Sequence, residues 1–486
     1  MAVALSIASA EAWPATPASA SFDRNAWLQD YRHLKTELEQ DYANLAWFAS
    51  PQGGVDLPAL DHATQAALKH AENDGQARQA ILNFVESLHD GHFSQLPDLP
   101  ESKAAPVAEP PEASLDSGDA ATACAAFDYG FNSQAAFSLP FESLPGFHLQ
   151  SDGSTQVFRS GLLTRTDGGK IGIVRIPDFK QREYGLCLEA WRALARSGAP
   201  SKAALNQAVV ANWYGTLATR LRDLRAAGAS LLLVDVGHNS GGNDSGDIAV
   251  RLFTDKPVHS ARLLVSQSQV GTAYLDEQIE ELQHGLALQP SIDTKHLLEQ
   301  ALARFSDAKS DAARKHCDLS WAWSERRDWN DSGCHRLIDA GFAGGPMDYL
   351  STAGRTDTEA AAKLHWPIQA GRAEGSWTGL VYVLTDSGTY SSAEMFAAAM
   401  QNNRVARTVG SRTGGDGCGF MVDSDPVVLP NSKLRFRVPN CIRLRADGSD
   451  EVAGVAPDLP VLATGGESRR ARAARVIDSV TAASQR

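Results

Sequence analysis

Two short apolar runs, each followed by a helical pattern, constrain the fold of this 486-residue chain more than any other feature. The first, "SLLLVDVGHNSGGND" (230–244), enters a glycine-rich turn, and the second, "GLVYVLTD" (379–386), precedes "SAEMFAAAMQNN" (392–403). Apolar runs of this length bounded by turn residues indicate buried strands. A long amphipathic pattern over 205–229 precedes the first run. This helix–strand–turn–helix order predicts an α/β fold.

Length indicates the number of packed units, and charge and hydropathy exclude several classes of partner. A chain of 486 residues is too long for one small core, so two or three packed units are expected. The formal net charge of −13 argues against nucleic acid or an anionic membrane as the main partner. Since no apolar run reaches about 18 residues, no membrane-spanning helix is expected. These properties leave the oligomeric state open.

Changes in composition divide the chain into five segments. They are a signal-like or disordered lead-in (1–25), an N-terminal helical domain (26–95), a Pro-rich linker with a small irregular region (96–168), a core (169–465) carrying a mostly helical insertion at about 265–375, and a C-terminal helix or tail (466–486). Within the core, "DPVVLPNSKLRFRVPNCIRLRADG" (425–448) predicts a hairpin, and "EVAGVAPDLPV" (451–461) predicts a strand and a turn.

The N-terminus has part of an export signal. "ASA" occurs at 8–10 and 18–20, a small-residue pattern suited to signal cleavage, although the first basic residue is Arg24. This segment favours a periplasmic or secreted protein, and a cytoplasmic protein with an unstructured tail is the alternative.

The six cysteines form no CxxC motif and no zinc-type cluster. Their even number permits disulfides, and the nearest pairs along the chain are Cys317 with Cys334 and Cys418 with Cys441. Together with the export pattern they favour an oxidising compartment, whereas six reduced thiols would fit a cytosolic protein.

A serine stands where the second apolar run turns into its helix. Ser391 precedes Glu394 by three residues, the spacing of a capping box in which the serine side chain caps the helix. The same position suits a nucleophile, because a hydroxyl at a strand-to-helix junction faces the positive end of the helix. A G-x-S-x-G elbow does not occur here. We therefore hypothesise that Ser391 both caps the helix and acts as a nucleophile.

The glycine pair after the first apolar run, Gly241 and Gly242, lets the backbone bend tightly and leaves amides free to face a ligand. Such amides suit an oxyanion hole. A plain strand-ending turn explains the same residues.

Two histidines flank an aspartate in "LHDGHF" (88–93), at the end of a helical pattern. His89 and His92 could form a metal pair with Asp90, but no third ligand motif such as HExxH accompanies them, so metal binding is not predicted. As a general base, His92 would need a serine and an orienting carboxylate that the fold brings to it.

Six segments, in this order, resemble the tail-specific (C-terminal processing) serine peptidase family. They are "LHDGH", "IGIVRIPDF", "LLLVDVGHNSGG", "VYVLTDSGTYSSAEMFAAAMQNN", "TVGSRTGG" and "GVAPDLPV". The resemblance implies a crotonase-like α/β core with an N-terminal helical extension. It also implies Ser391 as nucleophile, with the amide of Ser392 and that of Gly241 or Gly242 in the oxyanion hole.

The family has two kinds of base, and the resemblance favours one of them. A lysine 25 residues after the serine is replaced here by Asp416, and the sole lysine after Ser391 is Lys433. The tricorn-core-like branch uses a histidine and a glutamate, which correspond here to His92 and Glu451. The resemblance thus implies peptide or protein substrates, acyl-enzyme chemistry, and no metal or organic cofactor.

Three other functions fit parts of the pattern. A non-catalytic protein that binds apolar or peptide ligands could use the same scaffold, with the insertion as a lid. A crotonase-fold enzyme acting on thioesters would not need Ser391. A helical interaction protein would use Ser391 only as a cap.

Overall fold

The computed structural model describes residues 22–98, 119–130, 135–154, 157–196, 201–314, 317–330, 332–352 and 354–485. Most of the predicted lead-in (1–25) and of the Pro-rich stretch (96–119) lies outside the described residues.

The α-helices are α1 (Arg24–Asp41), α2 (Leu45–Phe48), α3 (Leu57–His70), α4 (Asp74–Glu86), α5 (Ala120–Ala126), α6 (Tyr184–Leu194), α7 (Lys202–Ala226), α8 (Ser245–Ala249), α9 (Gln269–Ala287), α10 (Ile292–Arg314), α11 (Thr358–Ala362), α12 (Ser392–Asn402) and α13 (Arg469–Ser484). Short 3-10 helices span Pro51–Gly53, Phe141–Ser143, Val250–Phe253, Ser320–Trp323, Trp366–Ala373 and Glu451–Ala453.

The strands are β1 (Ser94–Leu96), β2 (Phe147–Ser151), β3 (Ser160–Thr164), β4 (Lys170–Arg175), β5 (Leu231–Asp235), β6 (Arg262–Ser266), β7 (Leu337–Phe342), β8 (Leu380–Thr385), β9 (Arg407–Gly410), β10 (Val427–Val428), β11 (Arg435–Arg437), β12 (Cys441–Leu444) and β13 (Leu459–Pro460).

A seven-stranded sheet in the order β13-β9-β8-β5-β4-β3-β2 forms the centre of the molecule. Its strands from β13 to β4 pair in parallel, while β3 and β2 extend one edge in antiparallel pairing. The two apolar runs of the sequence are the adjacent strands β5 and β8, with Leu231 opposite Leu380. The predicted α/β fold is therefore confirmed. Strands β2 and β3 come from the segment 96–168, upstream of the predicted core.

Helices cover both faces of this sheet, which explains why β5 is apolar at nearly every position. Leu232 and Val234 pack among side chains of α6, α7, α8 and α12. Leu231 and Leu233 point to the opposite face and pack with side chains of α13. Successive residues of a strand face opposite sides, so a strand covered on both sides reads as a continuous apolar run.

The N-terminal helices build a second core that brings His92 to the main body. Side chains of α1 to α4 pack with Trp323 and with Phe436 of β11. His92 follows α4, and β1 then pairs antiparallel with β11, with Ser94 opposite Arg437. Strand β11 also pairs with β10, which confirms the predicted hairpin.

The region predicted as a mostly helical insertion, at about 265–375, contains α9, α10 and α11 but also a strand that was not predicted. Strand β7 pairs with β6, and β6 pairs with β12, in a separate antiparallel sheet. The partly exposed residues of β7 do not form an apolar run, so the sequence carried little signal for it. The indole of Trp323 donates to Glu39 Oε1 of α1 at 2.5 Å, which ties this region to the N-terminal helices.

Three disulfides join the cysteines of the described chain: Cys124–Cys187, Cys317–Cys334 and Cys418–Cys441. The last two confirm the predicted local pairs. Among the described residues, no helix is long and apolar enough to cross a bilayer.

Candidate active site

Ser391 occupies an uncommon backbone conformation between β8 and α12. Its φ of 51° and ψ of −124° fall outside the regions that residues with a Cβ usually adopt. Its side chain accepts no helix-capping hydrogen bond. The predicted capping box is therefore wrong, because Ser391 lacks the extended backbone conformation from which an N-cap side chain usually bonds the helix amides. Strain of this kind costs on the order of 1–3 kcal/mol and is typical of active sites.

Glu394 does not return to the helix cap but holds a loop on the other side of Ser391. Its fully buried carboxylate accepts a hydrogen bond from the hydroxyl of Thr413. It also accepts the amides of Gly415 at 2.7 Å, Asp416 at 2.9 Å and Gly417 at 3.4 Å. We call residues 413–420 the acidic loop; its first half is fixed by one glutamate of α12.

The glycine pair lies directly against the serine. A Cβ on Gly241, whose φ is +86°, would come within 2.6 Å of Ser391 Cβ and 2.8 Å of the Ser392 amide nitrogen. The Gly241 amide donates to Asn239 Oδ1 at 2.8 Å. Among the described residues, the amides of Gly242 and Ser392 have no acceptor. The Ser392 amide, at the start of α12, and the Gly242 amide, one residue after the glycine that packs against Ser391, can therefore stabilise a negative oxygen.

His92 lies beside the acidic loop, and both its ring and its backbone are held by hydrogen bonds. Its side chain is 17% exposed, and Nδ1 lies 2.6 Å from the carbonyl oxygen of Asp416. Since a carbonyl can only accept, Nδ1 carries a proton, and in the neutral ring Nε2 is left as an acceptor. The His92 backbone amide donates to Asp90 Oδ1 at 3.0 Å. His92 is thus held in the tautomer that a general base requires.

Asp90 anchors the turn that carries His92. Its buried carboxylate also accepts the hydroxyl of Tyr42 and the side-chain amide of Asn44, both at 2.8 Å. Burial raises the pKa of Asp90, against the opposing effect of His92. Asp90 therefore positions the backbone of His92.

Ser391 and His92 meet through Asp416. The Ser391 amide donates to Asp416 Oδ1 at 2.5 Å, and Asp416 Oδ2 lies 3.6 Å from His92 Nε2. Burial raises the pKa of Asp416 to about 10, with further increases from the hydrogen bond and the charge of Glu394. Within the described part of the chain, no hydrogen bond joins Ser391 Oγ to His92.

Glu451 is buried behind the acidic loop. It begins a 3-10 turn, and β13 follows at Leu459–Pro460, so the segment 451–461 contains the predicted turn and strand. The residue after Glu451, Val452, contacts Gly417 of the loop. Burial raises the pKa of Glu451 to about 7, against the opposing charges of Arg443 and Arg445. Its Oε2 has no partner in the described structure, and no hydrogen bond there links Glu451 to His92.

Comparison with known proteins identifies the family. Residues 170–461 match the model of peptidase family S41, which is more than half of the chain. The chain belongs to peptidase family S41. The resemblance found in the sequence is thereby confirmed, and the protein is a serine-type peptidase. No curated protein matches the chain.

Solved structures show the same fold as this S41 peptidase. The structure of mature CPAF complexed with lactacystin has 16% identity and a TM-score of 0.57, and the alignment covers 95% of this chain and 98% of that one. A crystal structure of mature CPAF has 16% identity and a TM-score of 0.54, with 94% and 96% covered. At this identity the likeness concerns the fold.

Sequence reasoning missed three acidic residues of this S41 peptidase: Asp90, Glu394 and Asp416. Asp90 was considered only as a metal ligand and Glu394 only as part of a cap. Asp416 was noted only as a replacement for lysine. The sequence does contain a signal for Asp416. It stands among glycines in "TGGDGCGF" (413–420), where the flexible main chain can surround a carboxylate.

Proposed function

We propose that this S41 peptidase cleaves peptide bonds in peptides or proteins through an acyl-enzyme, with Ser391 as nucleophile, His92 as base and Glu451 as the third member of the catalytic set. The observation that carries the proposal is the strained Ser391 at the start of α12, next to a Ser392 amide that has no acceptor in the described structure and linked through Asp416 to a histidine whose Nδ1 is already bonded.

In the first half of the reaction, His92 Nε2 accepts the proton of Ser391 Oγ as Oγ attacks the peptide carbonyl. The resulting oxyanion is stabilised by the amides of Ser392 and Gly242. Gly242 is favoured over Gly241, because the Gly241 amide already donates to Asn239 Oδ1. Losing one such donor typically costs about 3 kcal/mol of transition-state stabilisation.

In the second half, the protonated His92 gives its proton to the leaving amine, and water then attacks the acyl-enzyme with His92 again as base. Proton transfer requires Ser391 Oγ and His92 Nε2 to approach within hydrogen-bond distance. Such contacts are often looser in free enzymes and shorten when substrate binds.

Glu451 is assigned an indirect effect on His92. Its carboxyl lies behind the acidic loop, whose Asp416 carbonyl orients the ring. A negative charge on Glu451 would stabilise the imidazolium through the low-dielectric interior or through a bridging group.

Two finer features belong to the same proposal. The mostly parallel sheet with helices on both faces supports a crotonase-like core. The three disulfides support an oxidising compartment, periplasmic or secreted.

Labelling with a fluorophosphonate probe tests the nucleophile. The wild type is expected to form one adduct that maps to Ser391 and is lost in Ser391→Ala. Ser387→Ala is the matched control, because Ser387 lies exposed in the same turn; it should keep the adduct. The same three proteins are assayed for hydrolysis of denatured proteins. A folded wild type that neither reacts nor hydrolyses would contradict the proposal and favour the non-catalytic binding protein.

A further inference from the structure

Asp416 contacts both partners of the proposed proton transfer, and neither the family resemblance nor the triad assigns it a role. Its carbonyl oxygen is bonded to His92 Nδ1 at 2.6 Å, and its carboxyl accepts the Ser391 amide at 2.5 Å. One residue therefore determines both the orientation of the base and the backbone position of the nucleophile.

The space for Asp416 is created by a glycine next to the base. A Cβ on Gly91 would lie 2.9 Å from Asp416 Cβ and 3.4 Å from its Oδ2. Contacts below 3.0 Å force a neighbour to move. Gly91 and Asp416 are complementary, and a side chain at position 91 would displace the carboxyl from between Ser391 and His92.

The charges around Asp416 favour its neutral form. Its carboxyl is close enough to Glu394 to feel the negative charge of that carboxylate, which already accepts three backbone amides and one hydroxyl. Asp90 adds a further negative charge from the His92 side. Two adjacent carboxyls in a buried site cannot both ionise without a large cost, and four donors favour the charge on Glu394.

A neutral Asp416 has a specific consequence for His92. A charged carboxylate with Oδ2 only 3.6 Å from Nε2 would attract the protonated ring and compete with the leaving amine for its proton. A neutral acid instead donates its proton to Glu394, accepts the Ser391 amide, and leaves Nε2 available to Ser391 Oγ.

We propose that Asp416 is a positioning residue that works as a protonated carboxylic acid, bridging Glu394 and the Ser391 amide while its carbonyl orients His92. The proposal rests on the proposed function in one respect, because its kinetic test requires Ser391 to react. The protonation of Asp416 can be measured without catalysis.

The kinetic test compares two substitutions by their rates of fluorophosphonate labelling. Asp416→Ala removes the bridge and is expected to slow the bond-forming step about 100-fold with little change in probe affinity, because a misplacement of about 1 Å costs a factor of this size. Asp416→Asn resembles the neutral acid, since its amide can donate to Glu394 and its oxygen can accept from Ser391. The labelling rate of Asp416→Asn should therefore be at least ten-fold higher than that of Asp416→Ala.

A third substitution perturbs Asp416 from outside. Gly91→Ala should slow labelling as Asp416→Ala does, because the new Cβ would lie 2.9 Å from Asp416 Cβ and push the Asp416 side chain away. Melting temperatures and intact disulfides establish that all three variants are folded. Asp416→Asn as slow as Asp416→Ala, or Asp416→Ala as fast as wild type, would overturn the proposal and leave the Ser391 adduct of the wild type intact.

Infrared spectroscopy measures the proton itself. The difference spectrum of wild type minus Asp416→Asn at neutral pH should contain the C=O stretch of a protonated carboxyl. A carboxylate band in its place would overturn the proposal whether or not the wild type is labelled. The failure of this inference is thus separable from a failure of the proposed function.

Discussion

Two histidines reach the vicinity of Ser391 on loops, and each lies beside an aspartate, but their surroundings differ. His92 has a side chain that is 17% exposed, with Nδ1 on a main-chain carbonyl and the backbone amide on buried Asp90. His238, in the glycine-rich turn after β5, is 64% exposed, with Nε2 3.4 Å from Asp386 Oδ2. Its ring makes no other hydrogen bond in the described structure.

The difference shows that an aspartate nearby does not make a histidine a base. An exposed ring keeps its rotamer freedom, and its ion pair is screened by water. A ring held by a carbonyl and by a buried turn keeps one tautomer and one orientation, as proton transfer within a fixed geometry requires. We therefore propose His92 as the base and expect only local surface interactions from His238.

The largest expected effect is that of His92→Ala. Without its base, Ser391 should react with a fluorophosphonate at least about 10³-fold more slowly, while the fold is kept. The measurement is the adduct-formation rate at matched protein concentration. If the labelling rate fell by less than ten-fold, His92 would not be the base, and its fixed surroundings would not distinguish it from His238.

The second prediction concerns the disulfide that joins Cys418 of the acidic loop to Cys441 of β12. Cys418 stands beside Gly419, where a Cβ would lie 2.7 Å from the His92 ring. Because the two cysteines are 23 residues apart, Cys418→Ala with Cys441→Ala should lower the free energy of unfolding by about 3 kcal/mol. It should also slow labelling, because the loop that orients His92 gains mobility.

The pair Cys317→Ala with Cys334→Ala is the control, since these cysteines are 17 residues apart and Cys317 packs with the N-terminal helices. It should lower stability by a similar amount with little effect on labelling. Denaturant unfolding and labelling rates are measured on both pairs. Equal labelling losses in the two would show that the Cys418–Cys441 bond has no special connection to His92.

The third prediction concerns the pH dependence caused by Glu451. Burial raises its pKa to about 7 in the folded protein, above its ordinary value near 4.5. The folded state therefore retains a proton that the unfolded state has lost, so this stabilisation is complete below pH 4.5 and disappears as the pH rises through 7.

Between pH 4.5 and pH 7, the free energy of unfolding of the wild type should fall by on the order of 1 kcal/mol per pH unit relative to that of Glu451→Gln, which cannot ionise. Urea unfolding of both proteins across this range gives the difference. A difference that stays constant with pH would mean that Glu451 is charged in the folded protein throughout.

The smallest expected effect is that of His238→Ala. An exposed ion pair of this kind contributes about 0–1 kcal/mol, so the free energy of unfolding should change by at most about 1 kcal/mol. The labelling rate should stay within about three-fold of wild type, a range of about 0.7 kcal/mol. A larger loss, measured beside His92→Ala, would show that the turn after β5 acts through this side chain as well as through its glycines.

The strands and helices of the core could be predicted from residue patterns, because β5 and β8 are buried on both faces and α7 and α12 follow a helical period. Strand β7 was missed, since its residues are partly exposed and do not form an apolar run. The hairpin of β10 and β11 was found from alternation and turn residues. The cap at Ser391 was wrongly predicted, because the spacing of serine and glutamate does not reveal the backbone angles.

The sequence by itself determined the alternation of strands and helices, the two local disulfides, and the family to which the chain belongs. These depend on residues close together or on motifs in a set order. Tertiary structure alone decided that Glu394 holds the acidic loop, that Gly91 admits Asp416, and that Asp416 lies between Ser391 and His92. The physical reason is that burial and hydrogen bonding between residues distant along the chain set the protonation and orientation of these groups, and neither is encoded in local spacing.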